Sequence, residues 1–342
     1  MITTTDSQVS VLLVDNNSTD AVVFLDVALD TYNGNATLYD TRDAIEDYMK
    51  TEGLAFLNME IVVEGVNDAT ECEEIVRSVV FCEAMLTAAP ETIFLTSQKT
   101  KCIPRGLSEC IHFFYPGTGT ITENWKLYYV NNNGSIVRIM DNRYWGGENR
   151  GVKSLTVSDG SLKSDYRVDG DVIAASLTIG NRKMMLYFVD KQPDLVLSFR
   201  NVFNVVERAF LNGTTKVISS AEKTRATCGG IDSFYDVNNT IEFQFESAPL
   251  SIDMAAWLKQ LVLSPYIQKG NEEVLITEHT CEVSDADDEL NSVKFTYQYP
   301  DGRERLDITA DDSDTDPEAD EDVNNDDTND EYDDDQETEI TE

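Results

Sequence analysis

The sequence predicts a mainly β fold with a few α-helices, made of antiparallel, β-sandwich-like units and followed by an acidic, disordered C-terminal tail. Three observations support this class. Short runs rich in Val, Ile, Phe and Tyr recur between turns of Asn, Gly, Asp and Ser. Only two stretches have the apolar spacing of a helix. Residues 311–342 contain 18 Asp or Glu and no Lys or Arg, a composition that has too little apolar surface to fold.

The length of 342 residues predicts more than one domain, because a single hydrophobic core rarely serves more than about 250–300 residues. Turn-rich segments at 116–120 and 191–194 are the natural joints. The predicted division is an N-terminal β-rich domain with one helix at 1–116, an antiparallel β-hairpin (meander) region at 117–192, a C-terminal α+β domain at 193–308 and the disordered acidic tail at 309–342.

The N-terminal domain begins with two apolar runs, and the clearest helix follows them. The helix is predicted over 41–52, with Asp40 or Thr41 as its cap and Gly53 ending it in the left-handed conformation. Its apolar face consists of Ala44, Ile45, Tyr48 and Met49. Strands are predicted at 9–15, 21–29, 55–64, 75–83, 92–97 and 110–115.

The middle region is predicted to consist of two hairpins. The first joins 125–130 to 135–140 through Asn131-Asn132-Asn133-Gly134, whose Asn-Gly end supplies the positive φ angles of a tight turn. The second joins 172–179 to 183–189 through Gly180-Asn181-Arg182. Residues 145–147 and 158–161 are predicted as turns between the hairpins.

The C-terminal domain is predicted to combine strands with one helix. Ser251 caps a helix that runs through Leu263 and ends at Ser264-Pro265. The strand at 240–246 alternates cleanly, with Ile241, Phe243 and Phe245 on one face. Further strands are predicted at 195–199, 274–283 and 292–299, so a strand–helix–strand order occurs near both ends of the body.

Charge excludes two classes of partner. The chain has 64 acidic and 26 basic residues, and without the 18 acidic residues of 311–342 the body still holds 46 acidic against 26 basic, a net charge of −20. Nucleic acids and anionic membranes are bound through Lys and Arg, so neither is expected as a partner. No apolar stretch reaches the roughly 18 residues of a membrane span, and the N-terminus lacks the features of a signal peptide.

Residues that could carry chemistry are present without the patterns that chemistry requires. Cysteines at 72, 82, 102, 110, 228 and 281 form no Cys-x-x-Cys pair; they are expected to be reduced thiols, although 72 with 82 and 102 with 110 could bridge strands. His112 and His279 lie on predicted strands and are expected to be packed structural residues. Gly229-Gly230 indicates a turn and not a nucleotide loop. No catalytic residue, cofactor site or metal site is predicted.

Two acidic clusters are also interpreted as having no catalytic or metal-binding role. The run at 285–289 is predicted as a solvated loop, since a glycosidase needs two carboxylates facing each other across a cleft. Asp312, Asp314 and Asp316 have the spacing of a calcium loop. However, Pro317 and Val323 stand where such a loop requires Gly and Glu. The tail is therefore predicted to be a disordered polyanion.

Three stretches of the C-terminal domain resemble virion structural proteins of tailed bacteriophages, in particular phages of Bacteroides-type hosts. They are Phe199-Arg200-Asn201-Val202-Phe203-Asn204, the run 248–261 and the run 281–297. The resemblance covers one domain and includes no catalytic signature. It implies a subunit of the tail, baseplate or head–tail connector, built from β-sandwiches and short helices, forming a homo-oligomeric ring and located in the virion after assembly in the bacterial host cytoplasm.

The leading hypothesis is therefore a non-enzymatic virion structural subunit that oligomerises and docks other virion proteins. The acidic tail would serve as a regulatory or solubilising appendage. The alternative is a carbohydrate- or receptor-binding β-module, with a stacking platform formed by Trp125, Tyr128, Tyr129, Tyr144 and Trp145. A carboxylate-dependent hydrolase and an acidic mimic of DNA are further alternatives.

Overall fold

Strands dominate the part of the chain that the structure describes, and the predicted mainly β class is confirmed. The structure is a computed structural model, and it describes residues 2–3, 8–16, 21–33, 35–65, 73–83, 94–117, 119–146, 149–228, 231–284, 290–303 and 305. Within these ranges there are 21 strands and three α-helices. The predicted tail, the acidic run 285–289, Cys72 and Gly229-Gly230 lie outside the described residues.

The N-terminal region is a four-stranded antiparallel sheet with one helix packed on it. Its elements are β1 (Ile2–Thr3), β2 (Gln8–Asp15), β3 (Val22–Asp30), β4 (Asn35–Ala36), α1 (Thr41–Glu52), β5 (Phe56–Gly65) and β6 (Glu73–Val80). The main sheet has the order β3-β2-β5-β6, and β1 pairs with β4. Met49 of α1 packs against Leu13, Leu57 and Phe81, so the helix covers one face of the sheet.

The ends of α1 largely match the prediction. The helix spans the predicted residues, and Gly53 ends it with a φ of 68°. Asp40 is the N-cap residue, but its backbone is left-handed and its side chain makes no capping hydrogen bond. The sequence thus identifies the cap position but not the geometry there.

The middle region contains both predicted hairpins. Its elements are β7 (Thr100–Pro104), β8 (Glu109–Tyr115), β9 (Ile121–Asn131), β10 (Ile136–Trp145), β11 (Gly151–Val157), α2 (Asp159–Asp165), β12 (Gly170–Ile179) and β13 (Arg182–Val189). One sheet has the order β10-β9-β12-β13-β7, and β8 pairs with β11 in a second sheet. Phe113 and Tyr115 from the second sheet share a core with Trp125, Leu177 and Leu186 from the first.

The structure groups the strands differently from the boundary predicted at 116. Strand β7, which was not predicted, pairs in parallel with β13, and β8, predicted at 110–115, pairs with β11. Both lie before residue 116 and yet belong to the middle sheets. The alternation of β8 indicates a strand, but it cannot indicate which strand is its partner. Two local predictions also fail. Of the predicted strand 92–97 the structure describes residues 94–97, and among these only Phe94 makes a bridge, to Phe113. Residues 158–161 begin α2 through a Ser158–Ser161 capping box.

The C-terminal region contains two four-stranded sheets and the third helix. Its elements are β14 (Leu195–Arg200), β15 (Val206–Leu211), β16 (Gly213–Cys228), β17 (Ile231–Ser247), α3 (Ile252–Leu263), β18 (Ile267–Lys269), β19 (Glu272–Glu273), β20 (Leu275–Glu282) and β21 (Ser292–Gln298). The sheets have the orders β15-β14-β18-β19 and β16-β17-β21-β20. The predicted helix is confirmed, and Trp257, Leu258 and Leu261 bury its apolar face in the core that both sheets line.

The two strand–helix–strand units share a layout. Helix α1 connects β3 to β5, and β2 lies between those strands, antiparallel to both. Helix α3 lies between β17 and β20 in the chain, and β21 lies between those strands in the same way. In each unit, the stretch of chain that contains the helix joins two parallel strands that flank a third, although after α3 it first passes through β18 and β19 of the other sheet.

The three regions meet at a shared apolar cluster, the junction. It is formed by buried Leu95, Phe114, Phe203 and Val205, with Phe56, Val80 and Val202 packed around them. Two buried amides fix the turn that follows β14. Asn201 donates to the carbonyl of Leu95 at 2.7 Å, and Asn204 donates to the carbonyl of Met49 at 2.7 Å. The turn thereby contacts both other regions.

Replacing Phe114 with Ala should show how strongly the junction couples the regions. Phe114 is fully buried and packs against Phe56 with ring centroids 5.9 Å apart. We expect Phe114→Ala to lower the free energy of unfolding by about 3–5 kcal/mol, because it leaves a cavity in a packed cluster. Exposed Tyr144→Ala should change it by less than about 0.5 kcal/mol. Urea denaturation followed by circular dichroism measures both, and similar losses would contradict the role of the junction.

Candidate functional site

The structural feature with the strongest functional implication is a long hairpin formed by β16 and β17. The two strands pair from Gly213↔Ser247 to Cys228↔Ile231. One bulge, between Thr224 and Arg225, shifts the register. Strand β17 pairs with β21 only through Phe243 to Glu246. Beyond Thr240 the hairpin therefore continues as a two-stranded ribbon for about 30 Å, at about 3.3 Å per residue. We call residues 221–239, where described, the arm.

The arm continues the apolar face of its sheet beyond the core of the protein. Ile241, Phe243 and Phe245 are buried, whereas Val237 and Phe234, farther along β17, are exposed. Lys223 lies over the ring of Phe234, with its ammonium 5.6 Å from the ring centroid, so both side chains are on one face. That face presents apolar and aromatic groups to solvent.

A two-stranded ribbon of this length is poorly stabilised by itself. Isolated hairpins are marginally stable in water, and they need a third strand or a covering layer. Within the described part of the chain, the arm has neither: residues 221–227 and 231–239 are exposed except Ala226, which is half-buried. Exposed edges and apolar faces of this kind are typical of surfaces that pair with another chain.

The aromatic platform predicted for sugar binding is not formed. Trp125 is buried, and Trp145 is half-buried against the edge of Phe113, with ring centroids 5.4 Å apart. Both indoles donate to the buried carboxylate of Glu123, so they belong to the core. Strand alternation turns Tyr129 inward with Trp125.

The remaining two platform residues are far apart. Tyr128 pairs with Arg138, and Tyr144 pairs with Thr122. Six residues of strand β9 separate Tyr128 from Thr122, which corresponds to about 20 Å. The structure therefore gives the sugar-binding alternative no stacking surface at these residues.

Three charged side chains meet in the interior between the middle and C-terminal regions. Lys101 of β7 contacts Glu109 of β8 at 2.8 Å and Glu207 of β15 at 3.1 Å. All three are buried, and the indole of Trp257 in α3 donates to Glu207 at 2.8 Å. The cluster thus joins strands of three sheets and, through Glu207, a helix. We call these residues the ion cluster.

The two carboxylates of the ion cluster have different environments. Burial raises the pKa of Glu109, and the opposing charge of Lys101 does not reverse that shift. Burial also acts to raise the pKa of Glu207. However, the charge of Lys101 and hydrogen bonds from Thr96, Trp257 and Asn201 outweigh it and hold that pKa below its ordinary value. Because Oε2 of Glu109 is buried without a hydrogen-bond partner, Glu109 is the carboxyl that takes up a proton more readily.

His112 also links the two regions. Its Nε2 lies 3.1 Å from the carbonyl of Val206, and its Nδ1 lies 2.8 Å from the hydroxyl of Ser154. A carbonyl only accepts, so Nε2 carries the proton and Nδ1 accepts from Ser154. Burial lowers the pKa of His112, which agrees with a neutral ring. His279 lies on β20, beside the polar face of its sheet.

Two of the described cavities lie apart from the ion cluster. An open depression of about 810 Å³ lies on the outer face of the β16-β17-β21-β20 sheet, and Lys216, Glu246, Glu278 and Lys294 are among its lining residues. A second cavity of about 450 Å³ lies beside the C-terminal half of α3. Neither contains a residue of the ion cluster.

The remaining chemical groups are isolated from one another. Cys102, Cys110 and Cys281 are free thiols, and no metal-binding group of three or more His, Cys, Asp or Glu occurs among the described residues. Burial raises the pKa of Cys102 and of Cys281. No helix in the ranges given above is both long and apolar enough to cross a bilayer.

Comparison with known proteins gives no relative: no protein-family model matches the chain, and no curated protein matches it in sequence.

The ion cluster predicts unequal effects of two similar substitutions. Glu207→Gln should lower the free energy of unfolding at pH 7 by about 3 kcal/mol, because Gln cannot balance Lys101 or accept all of the hydrogen bonds. Glu109→Gln should cost at most about 1.5 kcal/mol, because Glu207 still balances Lys101 and the carbonyl of Gln can still accept from the ammonium. Chemical denaturation at pH 7 measures both variants, and a larger loss for Glu109→Gln would contradict this assignment.

The lowered pKa of Glu207 also predicts a pH dependence. A carboxylate with a lowered pKa stabilises the fold fully above its unfolded pKa of about 4.3, and it loses that contribution as the pH falls through the folded value. Between pH 5 and pH 3 the unmodified protein should therefore lose more stability than Glu207→Gln. Thermal unfolding across that range measures the difference, and parallel curves would contradict it.

Proposed function

We propose that this protein is a non-enzymatic structural subunit of a bacteriophage particle, in the tail, baseplate or head–tail connector. It acts by assembling with copies of itself and by docking other virion proteins. The observation that carries the proposal is the arm, a ribbon that extends the apolar face of a sheet beyond the protein's own core. A second copy would supply the missing cover.

The chemistry of the arm supports burial in an assembly. Phe234 is 61% exposed and Tyr235 is 68% exposed, and both lie on the strand β17. Aromatic residues are enriched at protein interfaces, where they bury a large area at a low entropic cost. An arm that reaches from one copy to a different surface of the next makes a head-to-tail contact, and such contacts produce rings when the rotation closes.

The segments that resemble phage virion proteins lie close to the structural joints. The motif at 199–204 is the turn whose Asn201 and Asn204 connect all three regions at the junction. The run at 248–261 includes most of α3, which supplies Trp257 to the ion cluster. The resemblance thus concerns residues that hold the body together and present the arm, as expected for a scaffold that carries no chemistry.

Removing the arm tests the proposal. Ser220 and Thr240 lie directly opposite each other, so a two-residue Asn-Gly turn can replace residues 221–239. We expect the full chain to form a defined oligomer and the shortened chain to be a monomer with an unchanged circular dichroism spectrum. Light scattering coupled to size exclusion measures the mass of each.

Point variants provide a matched control for the deletion. Phe234→Asp places a charge on the arm, whereas Tyr39→Asp places one at an exposed aromatic residue outside it. Phe234→Asp should weaken assembly and Tyr39→Asp should not. A monomeric full chain, or an oligomer that persists without the arm, would contradict the proposal.

A further inference from the structure

The cavity beside α3 is a cationic pocket in an acidic protein. It has a volume of about 450 Å³, within the usual range of about 300–1,000 Å³ for ligand sites. The end of α1, the residues after β6, the turn after β14 and the C-terminal half of α3 surround it. Its charged lining residues are Lys50, Arg200, Lys259 and Glu83. We call it the junction pocket.

The junction pocket has an excess of positive charge. Lys50 is paired with Glu83 at 3.0 Å, which leaves Arg200 and Lys259 without an ion pair among the described residues. The whole chain has a net charge of −38, so two uncompensated cations in one cavity depart from its general pattern. A cavity with this charge favours an anionic group.

Arg200 is held in place for such a contact. Its guanidinium stacks on the ring of Tyr266, 4.6 Å from the centroid. It also lies directly over Gly53, where a Cβ would come within 2.4 Å of the guanidinium. The glycine therefore leaves the space that the guanidinium occupies. A planar, preoriented guanidinium is the group best suited to bind a carboxylate.

The remaining walls of the junction pocket combine apolar groups with the neutral polar groups of Asn201, Asn204, Gln260 and Ser264. The apolar part consists of buried Phe81, together with Val202, Ala256, Leu263 and Pro265. Leu263, on the last turn of α3, is 60% exposed and so is available for a further apolar contact. The pocket therefore suits a segment that carries a carboxylate next to an aromatic side chain.

The arm contains such a segment at its bulge. Tyr235 is the extra residue between the register pairs Thr224↔Asp236 and Arg225↔Phe234. Asp236 is exposed and has no ion pair among the described residues, whereas Asp232 is paired with Arg225. Adjacent Tyr235 and Asp236 thus offer an aromatic ring and a free carboxylate on the arm.

We propose that the junction pocket of one copy receives Tyr235 and Asp236 from the arm of a second copy. The carboxylate of Asp236 pairs with Arg200 and Lys259, and the ring of Tyr235 packs on the apolar wall near Leu263. The inference rests on the proposed function, since it names the surface that covers the arm. The contact is between different patches of the two copies, so it is of the head-to-tail kind.

Within one copy, the arm does not fill the junction pocket. Tyr235 and Asp236 are exposed, and neither lines the cavity. The competing explanation of the cations is that Lys50, Arg200 and Lys259 offset the partial negative charge at the carboxyl ends of α1 and α3. That explanation involves no arm, so the two can be separated by experiment.

Charge exchange between the arm and the pocket is the test. Asp236→Lys and Lys259→Glu are made separately and together in the full chain, and the dissociation constant of the oligomer is measured by sedimentation. Each single reversal should weaken assembly by at least about tenfold, because like charges then face each other across the contact. The double variant has the net charge of the unmodified chain and should recover most of the affinity.

Exposed Lys183→Glu and Asp169→Lys are the matched controls, since they change net charge equally at residues outside both surfaces. Neither should change the dissociation constant by more than about twofold. Loss of assembly on arm deletion without any effect of Lys259→Glu would overturn the pocket assignment and leave the proposed function intact. The pocket assignment would also be overturned if the double variant had a dissociation constant as high as those of the single variants. A monomeric full chain would overturn both proposals.

Discussion

Burial of the Lys101 ammonium is the constraint on which the arrangement of the body depends. A charge in the interior is tolerated only where opposite charge and hydrogen bonds surround it. Glu109, Glu207 and the indole of Trp257 provide that environment, and they come from β8, β15 and α3. Displacing any one of these elements would leave a buried charge uncompensated. The ion cluster therefore fixes the middle region against the C-terminal region in a single arrangement, and the neighbouring junction attaches the N-terminal sheet to both.

The elements with strong local signals could be predicted from the sequence. Helices α1 and α3 lie where their apolar spacing and end residues place them, and both hairpins of the middle region form at their glycine-containing turns. Pairing between distant strands could not be predicted, because alternation shows that a residue faces a core but not which core. The parallel pairing of β7 with β13, separated by almost the whole middle region, is the clearest example.

The candidate sites were less visible in the sequence than the fold. Residues 213–228 are rich in Thr and Ser and lack a clear alternation, so strand β16 gives no signal of its own. Its length follows from pairing with β17, whose last seven residues do alternate. The ion cluster and the junction pocket each combine residues from distant segments, and single charged residues such as Lys101 or Arg200 look like ordinary surface residues in the sequence. The apolar pair Phe234-Tyr235 inside a polar run is the signal that could have indicated the arm, but it was not used.

The pairing of β7 with β13 has a consequence for synthesis of the chain on the ribosome. The N-terminal sheet contains only residues before 81 and can close early, but β7 has to wait for β13, about eighty residues later in translation. The ion cluster around Lys101 forms later still, because Glu207 and Trp257 are translated after β13. Until then the apolar residues of β8 and of the N-terminal sheet that pack at the junction lack their partners from the C-terminal region. Slow closure of such long-range contacts is the stage at which nascent chains aggregate. The order of the strands thus leaves the body open until residue 257 has been made.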